Sequence, residues 1–137
     1  MENLVAAVFV ATPDGKTIAG YYTISAYAIV AGDLPDEVLK QLKSKHPLLP
    51  ATLIGRLARA LAYKGQHLGE LLLMSVLERA LSHSREVASL AVVVDAKDRR
   101  AISFYAQFGF IQFPDHPNRM FLPMKTVADL FSCADPQ

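Results

Sequence analysis

Apolar positions along the chain change period several times, and each change predicts an element. Residues 4–11 and 17–30 are rich in β-branched and aromatic side chains and flank Thr12-Pro13-Asp14-Gly15-Lys16, a turn sequence; they predict an antiparallel hairpin. Gly20, inside the second run, marks a bulge or a close backbone approach. Asp33, followed by Asp36 and Glu37, predicts the capped start of a short surface helix over about 36–43. The stretch 46–50, with two prolines, reads as an extended connection, and 53–61 as the next strand. Over 68–84 the period becomes helical: Leu73, Val76, Leu77, Ala80 and Leu81 share a core face, while Glu70, Glu78 and Arg85 share the wet one. Residues 87–94 are almost wholly apolar, as a strand covered on both faces requires. A second helix is predicted over 98–108, with Ala101, Ile102, Tyr105 and Phe108 on one side and Gly109 as its left-handed stop. Strands over 110–113 and 119–124 close the domain. The predicted order is β-β-(α)-β-α-β-α-β-β, an α/β (α+β) chain with a mixed, mostly antiparallel sheet and helices on both faces.

Composition narrows this picture. At 137 residues with 52% hydrophobic positions, the chain fits one domain, 1–137, with a real core. The net charge of +1 gives no molecule-wide field to recruit nucleic acid or acidic membrane, although local basic patches remain open. Cys133 is the single cysteine, so there is no internal disulfide and no cysteine-based metal site; this fits the cytoplasm. His46, His83 and His116 are scattered without ligand spacing, so no metal is expected. The apolar run 4–11 follows Glu2 rather than basic residues and stops at a turn, so it reads as a strand and not a signal peptide. No segment approaches the ~20 apolar residues of a membrane span.

Two motifs carry chemistry. In Lys64-Gly65-Gln66-His67-Leu68-Gly69-Glu70 a glycine-bearing loop joins a strand to a helix. Free amides and the positive end of the helix dipole then meet, which suits a phosphate; a plain tight turn explains the same residues. No Gly-Lys-Ser/Thr follows, so it is not a nucleotide-hydrolase P-loop, and the Gly-x-Gly-x-x-Gly of dinucleotide folds is missing. The second motif is Ser103-Phe104-Tyr105-Ala106-Gln107-Phe108-Gly109-Phe110. Most of its aromatics read as packing, but the Tyr105 phenol can donate a proton if it faces a cleft.

Taken together, the two motifs make the chain resemble the GNAT N-acetyltransferase superfamily, from about residue 4 to 124. Lys64 to Gly69 stands where that family has Gln/Arg-x-x-Gly-x-Gly/Ala, and Asp98 to Phe110 matches its Asn-x-x-Ala-x-x-Phe-Tyr-x-x-x-Gly-Phe. The resemblance implies the GNAT fold and acetyl-CoA as acyl donor. It places the donor's pyrophosphate on Lys64, Gly65, Gln66, His67, Leu68, Gly69 and Glu70, and its pantetheine along Leu57, Ala58 and Arg59. Asp98 joins the donor site, and Tyr105 becomes the proton donor to the departing thiolate.

Further stretches, among them Gly20 to Ser25, Ile54 to Ala58, Val94 to Asp98 and Phe113 to Met124, are similar to the acetyltransferase toxins of bacterial toxin–antitoxin pairs. That similarity implies an aminoacyl-tRNA amine as acceptor and a small ribbon-helix-helix antitoxin as partner. The chain departs from the family pattern in three places. Lys64 keeps a cation but loses a bidentate fork. His67 stands where the family has glycine, with a ring where backbone should approach pyrophosphate. The family's first strand and its two helices are expected to be absent, which leaves an edge that a homodimer could cover. The other reading is a shortened relative without catalysis that binds CoA or protein. Lys40, Lys43 and Lys45, and separately Arg99 and Arg100, form basic faces that are either solvated or set for RNA phosphates.

Overall fold

The computed structural model of the chain describes residues 7–11, 20–42, 46–59 and 68–132. In order they form β1 (Ala7–Ala11), β2 (Gly20–Val30), a 3-10 turn (Ala31–Asp33), α1 (Asp36–Leu42), β3 (Leu48–Arg59), α2 (Leu68–His83), β4 (Ala91–Asp95), α3 (Arg99–Ala106), β5 (Ile111–Phe113), β6 (His116–Pro123) and α4 (Met124–Ser132). The six strands make one sheet in the order β1-β2-β3-β4-β6-β5. Strands β3 and β4 pair in parallel, and the other neighbours are antiparallel. This is the mixed, mostly antiparallel α/β sheet that the periodicity predicts. The hairpin pairing of the first two strands holds from Ala7↔Ile24 to Ala11↔Gly20, while its turn, 12–16, lies outside the described residues.

Alternation along the strands divides the core in two. On one face Val92, Val94, Met120 and Leu122 pack against Leu73, Val76, Leu77 and Ala80 of α2, Tyr105 of α3 and Val127 of α4. On the other, Val93, Phe121 and Leu49 pack against Leu34 and Val38 beside and within α1. Strand β4 is buried on both faces, which explains its unbroken apolar run.

The structure corrects several boundaries for identifiable reasons. Strand β3 begins at Leu48, not 53, because Pro50 can sit in it. The carbonyl of Pro50 accepts from the Leu90 amide at 2.8 Å, on the side where β4 has not yet begun, so its missing N–H breaks no ladder bond. Strand β4 begins at Ala91, not 87: the Glu86 and Val87 amides donate back to the His83 carbonyl in a turn that ends α2. Asp33 lies in the 3-10 turn rather than capping α1; the Pro35 carbonyl opens that helix by accepting from the Val38 and Leu39 amides. Helix α4 was not predicted at all. Its amphipathic spacing, with Met124 and Val127 buried and Leu130 and Phe131 packed beside them, is present in the sequence, but a final strand reading to 124 obscured it.

The irregularity expected at Gly20 is found at Gly55 instead. Gly20 pairs in register with both Ala11 and Arg59. The β2–β3 register shifts between Thr23↔Arg56 and Ile24↔Ile54, which leaves Gly55 as the extra residue of a bulge.

Candidate active site

Three features of the fold bear on the predicted site. The first is where the two strands part. Their parallel pairing covers Thr52↔Val92, Leu53↔Val93 and Ile54↔Val94, and then stops. Beyond the Gly55 bulge, β3 runs on to Arg59 paired with β2 alone, from Thr23↔Arg56 to Gly20↔Arg59. Among the described residues, Arg56, Leu57, Ala58 and Arg59 therefore have no strand partner on the β4 side. Such an edge can take an extended, amide-bearing chain as an added strand.

The second feature is the start of α2 at Leu68, after β3. Its first turn holds Leu68, Gly69 and Glu70, where backbone amides lack intrahelical acceptors and the dipole is positive. The Glu70 carboxylate is exposed on this turn. Lys64, Gly65, Gln66 and His67 lie outside the described residues.

The third is α3, whose two ends are both locally specified. Asp98 is the N-cap: its carboxylate accepts from the Ala101 amide at 2.9 Å. At the other end Phe110 N–H reaches the Tyr105 carbonyl (3.3 Å), Gly109 N–H reaches that of Ala106 (3.0 Å), and Gly109 has φ +96°. These are the two bonds of a Schellman stop, completed by contact of the Tyr105 and Phe110 rings at 5.3 Å. Asp98→Ala should lower unfolding free energy by about 1 kcal/mol, with Asp98→Asn near wild type, in urea titrations. Equal stability of all three proteins would show that the cap contributes nothing.

Tyr105 is thus fixed by a cap before it and a stop after it. Its ring is buried, 8% exposed, between Phe104 and Phe110 (both 5.3 Å). It belongs to the same core as Ile54, Val94 and Ala96, the residues at the parting of β3 and β4. Burial pushes its phenol above the ordinary value of 10.0; a phenol is protonated at neutral pH with or without that shift. It makes no hydrogen bond to another described residue. A protonated phenol with no hydrogen-bond partner among the described residues suits a proton donor.

Two polar clusters were not visible in the sequence. On the face opposite Tyr105, Arg119 donates from Nε to Asp95 Oδ1 (2.8 Å) and from Nη1 to the Tyr27 hydroxyl (2.6 Å), so its side chain ties β6 to β4 and β2. The hydrogen bond to Asp95 is the main reason that its pKa is raised. Both partners are partly exposed, and the pair contributes at most about 1 kcal/mol. On the α2 side, Arg79 lies 3.8 Å over the Phe9 ring and donates to the Tyr22 hydroxyl (3.0 Å), which also bonds Ser75 (3.2 Å). This clasp joins α2 to β1 and β2. No periodicity signals contacts between residues separated by more than fifty positions.

An open-edged strand, a helix start and a buried phenol are compatible with an acyl-transfer site. The family comparison agrees: residues 5–110 match the model of the acetyltransferase (GNAT) family, and the chain belongs to that family. It is an N-acetyltransferase by class, and acetyl-CoA is the acyl donor of the class. A probable toxin TacT from Sinorhizobium fredii is 31% identical over 131 residues, spanning 90% of this chain and 72% of the relative. Among solved structures, a tyrosine-to-phenylalanine variant of KacT superposes with TM-score 0.82 at 29% identity, covering 93% of this chain and 76% of KacT. AtaT complexed with acetyl-methionyl-tRNAfMet gives TM-score 0.82 at 27% identity, with the same coverage of 93% and 76%. AtaT's assembly AtaTR has also been solved bound with acetyl-CoA. Among the described residues of the present chain, no helix is long and apolar enough to cross a membrane.

Proposed function

We propose that the chain acetylates the amino group of an aminoacyl-tRNA, as a toxin neutralised by a small ribbon-helix-helix antitoxin. The observation that carries the acetyl-transfer part is the open edge of β3 from Arg56 to Arg59, running toward the start of α2. The aminoacyl-tRNA part draws support from the AtaT complex with acetyl-methionyl-tRNAfMet.

Acetyl-CoA supplies the activated acetyl thioester. The backbone of Leu57, Ala58 and Arg59 holds the donor's amide-bearing arm as an added strand. The amides of Leu68, Gly69 and Glu70, with Lys64, Gly65, Gln66 and His67 before them, hold its pyrophosphate. Asp98 secures the neighbouring end of α3 through its cap. A backbone amide of the β3 edge polarises the thioester carbonyl. Tyr105 gives its phenolic proton to sulfur as the C–S bond breaks and the new N–C bond forms; it regains a proton from the acylated nitrogen through water. No covalent enzyme species and no metal enter this scheme.

Calorimetric titration of the purified chain with acetyl-CoA tests the donor half. Saturable binding is expected, and no binding at millimolar ligand would overturn it. Incubation with charged tRNA and labelled acetyl-CoA tests the acceptor half. Donor binding without label transfer to any aminoacyl-tRNA sinks the acceptor reading alone.

A further inference from the structure

The outer face of α3 carries a groove of about 510 Å³, lined by Arg99, Arg100, Ser103, Phe104 and Gln107. Arg100, Ser103, Phe104 and Gln107 follow the i, i+3, i+4, i+7 spacing of a single helical stripe. Neither arginine has an ion pair, hydrogen bond or ring partner among the described residues. Asp98, the nearest acid in sequence, is committed to the Ala101 amide.

Fold stability does not account for this pair of cations. Arg99 and Arg100 open the helix, and its first turn holds no acid. Positive charge at that end opposes the helix dipole. The rest of the groove is equally specific in its chemistry. Ser103 and Gln107 offer hydrogen bonds in both senses. The half-buried Phe104 ring is fixed edge-on against Tyr105 (5.3 Å, 70°) and Phe108 (5.4 Å, 61°). Free guanidiniums for phosphate, polar groups for sugar or base edges, and a fixed ring for stacking are the combination that binds unpaired RNA. From Arg99 to Gln107 the stripe extends about 12 Å at ~1.5 Å per residue, longer than one phosphate needs.

We propose that this α3 groove binds the single-stranded 3′ end of the RNA acceptor, with Arg99 and Arg100 on its phosphodiesters and Phe104 under a base. The inference rests on the aminoacyl-tRNA reading above and adds where the RNA lies. It puts the acceptor strand on the same helix as Tyr105, one position away from Phe104.

The test is the double variant Arg99→Ala/Arg100→Ala, with Arg99→Lys/Arg100→Lys as the charge-keeping control. Both side chains are exposed, so folding should be retained. The probe is a fluorescent acceptor-stem RNA with an unpaired 3′ end, followed by anisotropy across a salt series. The alanine pair should bind roughly tenfold or more weakly, with a log–log salt slope smaller by about 1.4, or ~0.7 per lost single-strand phosphate contact. The lysine pair should keep most of both. Acetyl-CoA affinity should be unchanged in all three proteins. Unchanged RNA affinity in the alanine pair overturns the proposal. So does a loss confined to acetyl-CoA that disappears with 3′-dephospho-acetyl-CoA, because the groove would then hold the donor's own phosphate. Binding is read without turnover, so the two readings fail separately. Wild-type acetylation of aminoacyl-tRNA that the alanine pair matches rejects the groove alone. RNA binding through the groove without acetylation rejects the acceptor alone.

Discussion

Replacing Tyr105 by phenylalanine is expected to lower kcat for acetyl transfer by about 10²–10⁴-fold, the usual contribution of a positioned acid. Stability should change little, because the ring contacts with Phe104 and Phe110 survive and the hydroxyl bonds no described residue. Acetyl-CoA affinity should be retained, so the loss falls on kcat and not on binding. The pH profile gives an independent reading. Burial raises the phenol's pKa. The folded chain therefore holds that proton more tightly than the unfolded one. The proton's contribution to stability is complete below the unfolded phenol value and is lost as pH rises through the higher folded value. The acid form accordingly persists through neutral pH, and any alkaline limb of kcat due to Tyr105 lies above the ordinary phenol range. The variant should lack that limb. Unchanged release of free thiol from acetyl-CoA in the presence of acceptor would remove Tyr105 from the mechanism.

Gly55→Ala should destabilise the sheet. A Cβ at 55 would stand 2.6 Å from Thr23 Oγ1, well inside contact distance. The close atom is the Thr23 side-chain oxygen, at the bulge where the β2–β3 register shifts and next to the open edge of β3. Overpacking of this kind costs about 1–3 kcal/mol. Acetyl-CoA affinity should fall as well, because the edge beyond the bulge is the proposed donor strand. Thr23→Ala in the same chain removes the clashing oxygen and should recover most of the lost stability, a non-additive pair in a double-mutant cycle. A Gly55→Ala protein that melts in urea with the wild type would mean that Thr23 turns aside freely and that the bulge does not require glycine.

How much of this could be read in advance differs between elements. Helix α2 was legible because its core face repeats over sixteen residues, long enough for periodicity to outweigh local noise. Helix α3 was legible at its C-terminal end because Gly109 is a local stop, whereas Asp98, read as its first residue, is the N-cap before it. Strand β3 was read five residues short because proline propensity is an average over contexts. Pro50 is admitted here by the position of Leu90 in another element. The bulge went to the wrong glycine for a similar reason. Gly20 and Gly55 look alike in sequence, and only strand register shows which one has an extra residue to accommodate.

The sequence by itself determined the family and the order of the central elements, and it made Tyr105 a candidate. Each rests on residues near one another along the chain: a loop at 64–70, a motif at 98–110, and runs of one period. Tertiary structure alone decided that β3 and β4 part after Ile54 and Val94, that Gly55 lies against Thr23, and that Arg119 reaches Asp95 and Tyr27. It also decided that Tyr105 is buried, which raises its phenol pKa. The physical reason is range: caps, turns and amphipathic periods act over a few residues. Strand register, close approach and desolvation depend on segments that meet only when the sheet has formed.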